Sequence, residues 1–156
     1  MTRPSTFGVS LKLTATCSVD ASKATIAFED QSATTLGDNR IAASEGNIEV
    51  LCSKDAPYVI NLSSENFSSS NGEGEMIHKD VPANKVKYQL YSDLNGTANW
   101  GNDGLLGAGN IGTGVSGIGG GLSAIAKPHK VYARIIGTTD VLLGEYSDTV
   151  TASIVY

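Results

Sequence analysis

The sequence predicts an all-β protein built as an antiparallel sandwich, on three observations. Apolar residues recur with a period of two in short runs, the pattern of half-buried strands. Clusters of Gly, Asn, Asp and Ser punctuate those runs. Helical spacing of apolar residues nowhere persists over three turns. With 40% apolar residues in 156, the chain has material for one sizeable core and is not globally disordered.

The strands follow in order. Phe7-Gly8-Val9-Ser10-Leu11-Lys12-Leu13-Thr14 alternates without a break, placing Phe7, Val9, Leu11 and Leu13 on one face. Shorter alternations follow at Ala24-Thr25-Ile26-Ala27-Phe28, with Glu29-Asp30 expected to end that strand, at Ile48-Glu49-Val50 and at Tyr58-Val59-Ile60-Asn61-Leu62. Val86 to Tyr91 and Val131 to Ile136 read as two further strands. The chain closes on Thr149 to Tyr156, with Val150, Ala152, Ile154 and Tyr156 sharing a face. Two segments read as loops. One is polar, Ser63 to Gly74; the other runs from Gly101 to Gly121 and is ten-twenty-firsts glycine.

Charge narrows the function. The formal net charge is −5, which argues against a nucleic-acid binder and against a polybasic membrane clamp. Charged residues make up only 17%, against about 25% in an average soluble domain. No apolar run approaches the ~18 residues of a membrane span. Met1 to Thr6 carries no apolar stretch of the kind a signal peptide needs, as a processed, mature chain would also show. Cys17 and Cys52 form an even set in a small Ser/Thr/Gly-rich chain and suggest one disulfide made in an oxidising compartment; two buried thiols are the alternative.

Catalytic and cofactor motifs are weak. Gly107-Ala108-Gly109-Asn110-Ile111-Gly112 and Gly112-Thr113-Gly114-Val115-Ser116-Gly117 match the dinucleotide fingerprint formally. Such matches arise by chance in a glycine-rich stretch, and Gly119-Gly120-Gly121 is a poor start for the helix the motif requires. His78 and His129 lie far apart and read as solvated loop residues rather than metal ligands. No nucleophile elbow is present. Neither an enzyme, a cofactor nor a metal site is expected. The sequons at Asn61, Asn66 and Asn95 are about as many as chance supplies.

The two ends are the informative part. The first alternating run is either an ordinary strand of a closed sandwich or an arm that completes a neighbour's sheet, and pattern alone does not choose. Two blocks carry a resemblance that does. Tyr88-Gln89-Leu90-Tyr91-Ser92-Asp93 followed by Trp100-Gly101, and Gly144-Glu145-Tyr146-Ser147-Asp148-Thr149-Val150 leading into the terminal strand, resemble the spore coat protein U domain, the pilin of archaic chaperone–usher pili. Gly46 to Cys52 followed by Tyr58 to Leu62 fits as well, and the resemblance spans about residues 7 to 156. Phe28-Glu29, Glu75-Met76 and Ala133 depart from the family pattern and blur the branch, leaving the fold intact.

The resemblance implies an incomplete immunoglobulin-like sandwich, completed by a donor strand from the neighbouring subunit. It implies a donor arm over residues 1–14, with Phe7, Val9, Leu11 and Leu13 as the inserted side chains, and a pilin domain over 15–156 with a glycine-rich loop at about 101–129. The groove would be bordered by Val150, Ala152, Ile154 and Tyr156, and Cys17 and Cys52 would be paired. The implied role is that of a shaft subunit of an extracellular pilus, supporting surface attachment and biofilm formation. Implied partners are identical subunits in a linear filament, a periplasmic chaperone and an outer-membrane usher. A tip adhesin, a carbohydrate-binding immunoglobulin-like module and a spore or cyst coat component are the alternatives.

Overall fold

A computed structural model describes residues 1–35, 40–107 and 112–156. They form eleven strands, all paired antiparallel, and no helix. In chain order these are β1 (Cys17–Asp20), β2 (Ala42–Ala43), β3 (Ile48–Cys52), β4 (Pro57–Ser64), β5 (Glu73–His78), β6 (Lys85–Tyr91), β7 (Val115–Ile118), β8 (Lys127–His129), β9 (Tyr132–Ile136), β10 (Tyr146–Ser147) and β11 (Val150–Val155). A five-stranded sheet runs β10-β5-β6-β9-β2, and two three-stranded sheets run β1-β3-β8 and β11-β4-β7.

The core lies where the three sheets meet. Ile48 and Val50 of β3, Tyr58, Ile60 and Leu62 of β4, Tyr88 and Leu90 of β6 and Ala133 of β9 are all buried. Their spacing of two is the alternation read in the sequence, now assigned to the inward faces. Trp100 is fully buried and donates its indole N–H to the carbonyl of Ile60 at 2.9 Å, which meets the need of a buried indole for a partner. Just before it, the Asp93 carboxylate accepts from the N–H groups of Thr97 and Ala98 and from the Thr97 hydroxyl, and so closes the turn that returns the chain to Trp100. Those bonds, the Thr97 hydroxyl first, hold the Asp93 carboxyl below its usual range.

The run from Phe7 to Thr14 pairs with nothing and is exposed throughout, unlike the ordinary strand of a closed sandwich that its pattern equally allowed. Several expectations need correction. The segment from Ala24 to Phe28 forms no strand pair, although Ala24, Ile26 and Phe28 do turn inward. The polar segment Ser63 to Gly74 is a loop only between Ser64 and Glu73: Ser63 and Ser64 end β4, and Glu73 and Gly74 open β5. There Gly74 sits opposite Tyr88, and a Cβ at Gly74 would come within 2.2 Å of the Tyr88 ring. The glycine is a packing requirement rather than a turn signal.

The same cause explains the stretch from Gly101 to Gly121, which is not loop throughout. It contains β7, paired with β4, and β8 follows it within the region to His129. A Cβ at Gly117 would meet the Tyr58 ring at 2.3 Å, and one at Gly114 would meet Val59 at 2.5 Å. The first fingerprint match, Gly107 to Gly112, lies partly outside the described residues. The second, Gly112 to Gly117, runs into β7, whereas a nucleotide site would need a helix there.

Neither histidine is a solvated loop residue. His78 is buried at the end of β5, its Nδ1 accepting from the N–H groups of Asp80 and Val81 at 3.0 Å each. That fixes the tautomer, so Nε2 donates to the carbonyl of Leu143 at 3.0 Å. His129 lies in β8, with Nε2 at 2.9 Å from the Tyr58 hydroxyl.

Candidate functional site

The sandwich is open along one side. β10 and β11 each stand at the end of their sheets, so the stretch from Tyr146 to Val155 pairs along one edge only. Thr149 turns its carbonyl toward the N–H of Glu65 on the β4 side. By alternation, the N–H and C=O groups of Val150 and Ala152 project from the open edge. Facing that edge is the segment Ala24 to Phe28, which forms no strand. Between them lies a groove of about 350 Å³. Leu62, Met76, Tyr88, Leu90 and Ala133 line its floor, and Ala24, Ile26, Phe28, Val150 and Ala152 its walls.

The four residues named in the terminal strand divide. Val150 and Ala152 line the groove. Ile154 packs against the core beyond it, and Tyr156, past the last paired residue, is 51% exposed. At the other end the groove widens into a second depression, walled by residues 26–31 and 141–147.

Asp148 holds the rim, a role that pattern reading did not assign. Its Oδ2 accepts from the hydroxyls of Ser64 and, at 2.6 Å, Tyr88; its Oδ1 accepts from the N–H groups of Thr149 and Asn66. These bonds tie the chain to β4 and β6 where it passes from β10 to β11. Burial, then the Asp148 bond and charge, raise the Tyr88 phenol well above its usual range. The only available sequence signal was that Tyr88 and Asp148 each fell in a resembling block.

The apolar side chains of the arm lie outside this core. Phe7, Val9, Leu11 and Leu13 are 82–87% exposed. The arm's root is fixed. Thr16 and Ser53 are joined by Thr16 N–H to Ser53 Oγ and Ser53 N–H to the Thr16 carbonyl, both at 2.9 Å. One residue on, Cys17 and Cys52 face each other in register and are disulfide-bonded, resolving the choice the sequence left open. Among the described residues, no group of His, Cys, Asp or Glu is arranged to hold a metal ion, and no helix is long and apolar enough to cross a membrane.

Fold and groove define a class: an antiparallel β-sandwich with one open apolar edge, preceded by an unpaired segment of alternating apolar residues. The chain belongs to the Spore Coat Protein U domain family, whose profile matches residues 4–153. Among solved structures it is similar to a chain in the crystal structure of the CsuC–CsuE chaperone–tip adhesion subunit pre-assembly complex from the archaic chaperone–usher Csu pili of Acinetobacter baumannii. There the identity is 17% and the TM-score 0.51, over 91% of this chain and 40% of that one, a likeness of fold. A second similar structure is a chaperone–tip adhesin complex of CFA/I fimbriae biogenesis, at 11% identity and TM-score 0.43, over 88% of this chain and 41% of that one. The chain thus spans about two fifths of the length of each. No curated protein matches it by sequence.

Proposed function

We propose that this chain is a structural shaft subunit of an extracellular pilus that polymerises by donor-strand exchange. Residues 1–14 are the donor arm, with Phe7, Val9, Leu11 and Leu13 the inserted side chains. The groove beside Val150 and Ala152 is the acceptor. One observation carries this reading: the same chain bears an open apolar groove, edged by unpaired backbone groups, and a free strand-like arm with the alternation such a groove accepts. Each copy both gives and receives a strand. The contact is therefore heterologous and generates an open filament rather than a closed ring.

Magnitudes favour a lasting joint. Burying four side chains of this kind is worth roughly 6–12 kcal/mol at ~1.5–3 each, before backbone bonds and the ordering cost of association. An exposed apolar groove and arm are also an aggregation hazard until covered. A periplasmic chaperone occupying the groove, and an usher exchanging it for the next arm, meet that need. Surface attachment and biofilm formation are the uses to which such a filament is put.

The Csu complex contains a tip adhesion subunit, so a tip role is the second reading. The arm favours the shaft, because the subunit at the receiving end of a linear polymer has no neighbour to donate to. The test is assembly itself. Purified filaments, warmed mildly in detergent, are expected to run as a ladder that collapses to monomer on boiling. Deleting residues 1–14, or changing Leu11 and Leu13 to Asp, is expected to abolish the ladder and leave the sandwich folded. Intact filaments without the arm would overturn the assignment.

A further inference from the structure

Resting on that reading, we propose a register for the joint. The arm of one copy lies in the groove of the next antiparallel to the stretch from Tyr146 to Ala152, with Phe7 opposite Ala152, Val9 opposite Val150, Leu11 opposite Asp148 and Leu13 opposite Tyr146.

Direction follows from the two ends of the sandwich. The Thr16–Ser53 bonds and the Cys17–Cys52 bridge fix the arm's exit at the end where β3 turns into β4. The β11–β4 register brings the end of β11 to the same place, since Val155 faces Val59. The opposite end carries Leu143, Glu145 and Tyr146 beside Phe28 and Glu29. An arm inserted parallel to β11 would place the donor's body at the acceptor's Tyr156 end, where the acceptor's own arm departs. The antiparallel arm places that body at the free end. There exposed Leu142 and Leu143 gain a cover.

Length, parity and size fix the register. Phe7 to Leu13 and Tyr146 to Ala152 both span six intervals, ~20 Å of strand, and these β-edge residues coincide with the groove's lining. Tyr146, Asp148, Val150 and Ala152 are the half-buried members of their stretch and alternate with exposed neighbours, so all four arm side chains meet the inward face. The largest of them, Phe7, falls beside the small side chain of Ala152. At the other end the floor already holds Met76 and the wall Phe28.

Charge agrees. Residues 1–16 carry Arg3 and Lys12 and no carboxylate. In this register Lys12 stands on the outer face, diagonal to Glu145 and within reach of a long side chain. Glu145 is exposed and meets Lys79 at 3.9 Å; nearby Glu29 meets Arg40 at 3.6 Å, and Asp30 lines the same depression.

The test holds one acceptor cysteine and moves the donor. Ala152→Cys is combined with Phe7→Cys, Val9→Cys or Leu13→Cys, and filaments are assembled without reductant. Phe7→Cys is expected to give a ladder that survives boiling. A boiling-resistant ladder chiefly from Val9→Cys would mean a slipped register, and one chiefly from Leu13→Cys a reversed strand. Either result overturns the proposal, as does a heat-labile ladder with no cross-link from any pair. Absence of even the heat-labile ladder in the unmodified protein would instead sink the pilus reading and the register with it. A charge exchange gives a second measure that leaves the groove untouched. Lys12→Glu and Glu145→Lys are each expected to slow polymerisation several-fold, and the double variant to restore it. A double variant no faster than either single one would overturn the placement of Lys12.

Discussion

The Tyr88 hydroxyl donates to Asp148 Oδ2 at 2.6 Å, joining two sequence blocks that lie 60 residues apart. One block supplies a central strand of the five-stranded sheet and the other the rim of the groove. The two parts of the sequence that carry the family resemblance are thus in contact, at the point where the chain crosses from one sheet to another.

Breaking that point is expected to destabilise the sandwich. Tyr88→Phe removes one bond to a carboxylate and should cost about 1–2 kcal/mol; Asp148→Ala strands several donors and should cost about 2–4 kcal/mol. Urea unfolding monitored by the single tryptophan, Trp100, measures both. Because the Tyr88 phenol is raised in the folded state, its contribution is fully present below the unfolded value, about 10. It is lost as pH rises through the folded value. Stability should therefore fall above about pH 10, and less steeply in Tyr88→Phe.

The disulfide closes a loop of sequence separation 35 at the root of the arm. Chain-entropy reasoning gives about 3–4 kcal/mol for such a loop. Adding reductant, or the double change Cys17→Ser and Cys52→Ser, is expected to shift the urea midpoint down accordingly, with the slope of the transition as a check on the unfolded state.

Two glycines of one stretch should behave differently. A Cβ at Gly117 would run into the Tyr58 ring, so Gly117→Ala is expected to cost about 1–3 kcal/mol through overpacking. At Gly120 the nearest atoms lie at 3.4 and 3.6 Å, and Gly120→Ala should change stability by no more than about 0.5 kcal/mol. Thermal unfolding of both variants distinguishes a packed glycine segment from a loose one.

His129 supplies a pH dependence on the acid side. Burial first, then the charge of Lys127, depresses its folded value. A depressed base contributes stability that is present above its unfolded value, about 6.5, and is lost as pH falls through the folded one. Stability is expected to drop as pH falls below about 6.5, and the drop to shrink in His129→Gln. An unchanged profile in that variant would remove His129 as its source.

Period-two patterning was enough to place β3, β4, β6, β9 and β11, because each buries one face and its alternation is written in the residues. β5 and β7 were hidden for a shared reason. Their Gly74 and Gly117 read locally as turn residues, while the aromatic rings that require them, Tyr88 and Tyr58, are supplied by neighbouring strands. His78 and Glu75 escaped similarly. Both look like surface residues in the chain, and both are buried with partners, the carbonyl of Leu143 for one and Lys85 at 3.0 Å for the other.

By itself the sequence determined the all-β class, the alternating arm and the blocks that mark the family. These are local facts, set by side-chain period and residue identity. Whether Phe7 to Leu13 lies inside its own sandwich or outside it is not a local fact, because a strand reads the same in either place. Tertiary structure decided it. The sheets leave β10 and β11 unpaired on one edge, the Thr16–Ser53 bonds and the Cys17–Cys52 bridge anchor the arm's exit at one end, and the apolar floor between β11 and Ala24 to Phe28 stays open.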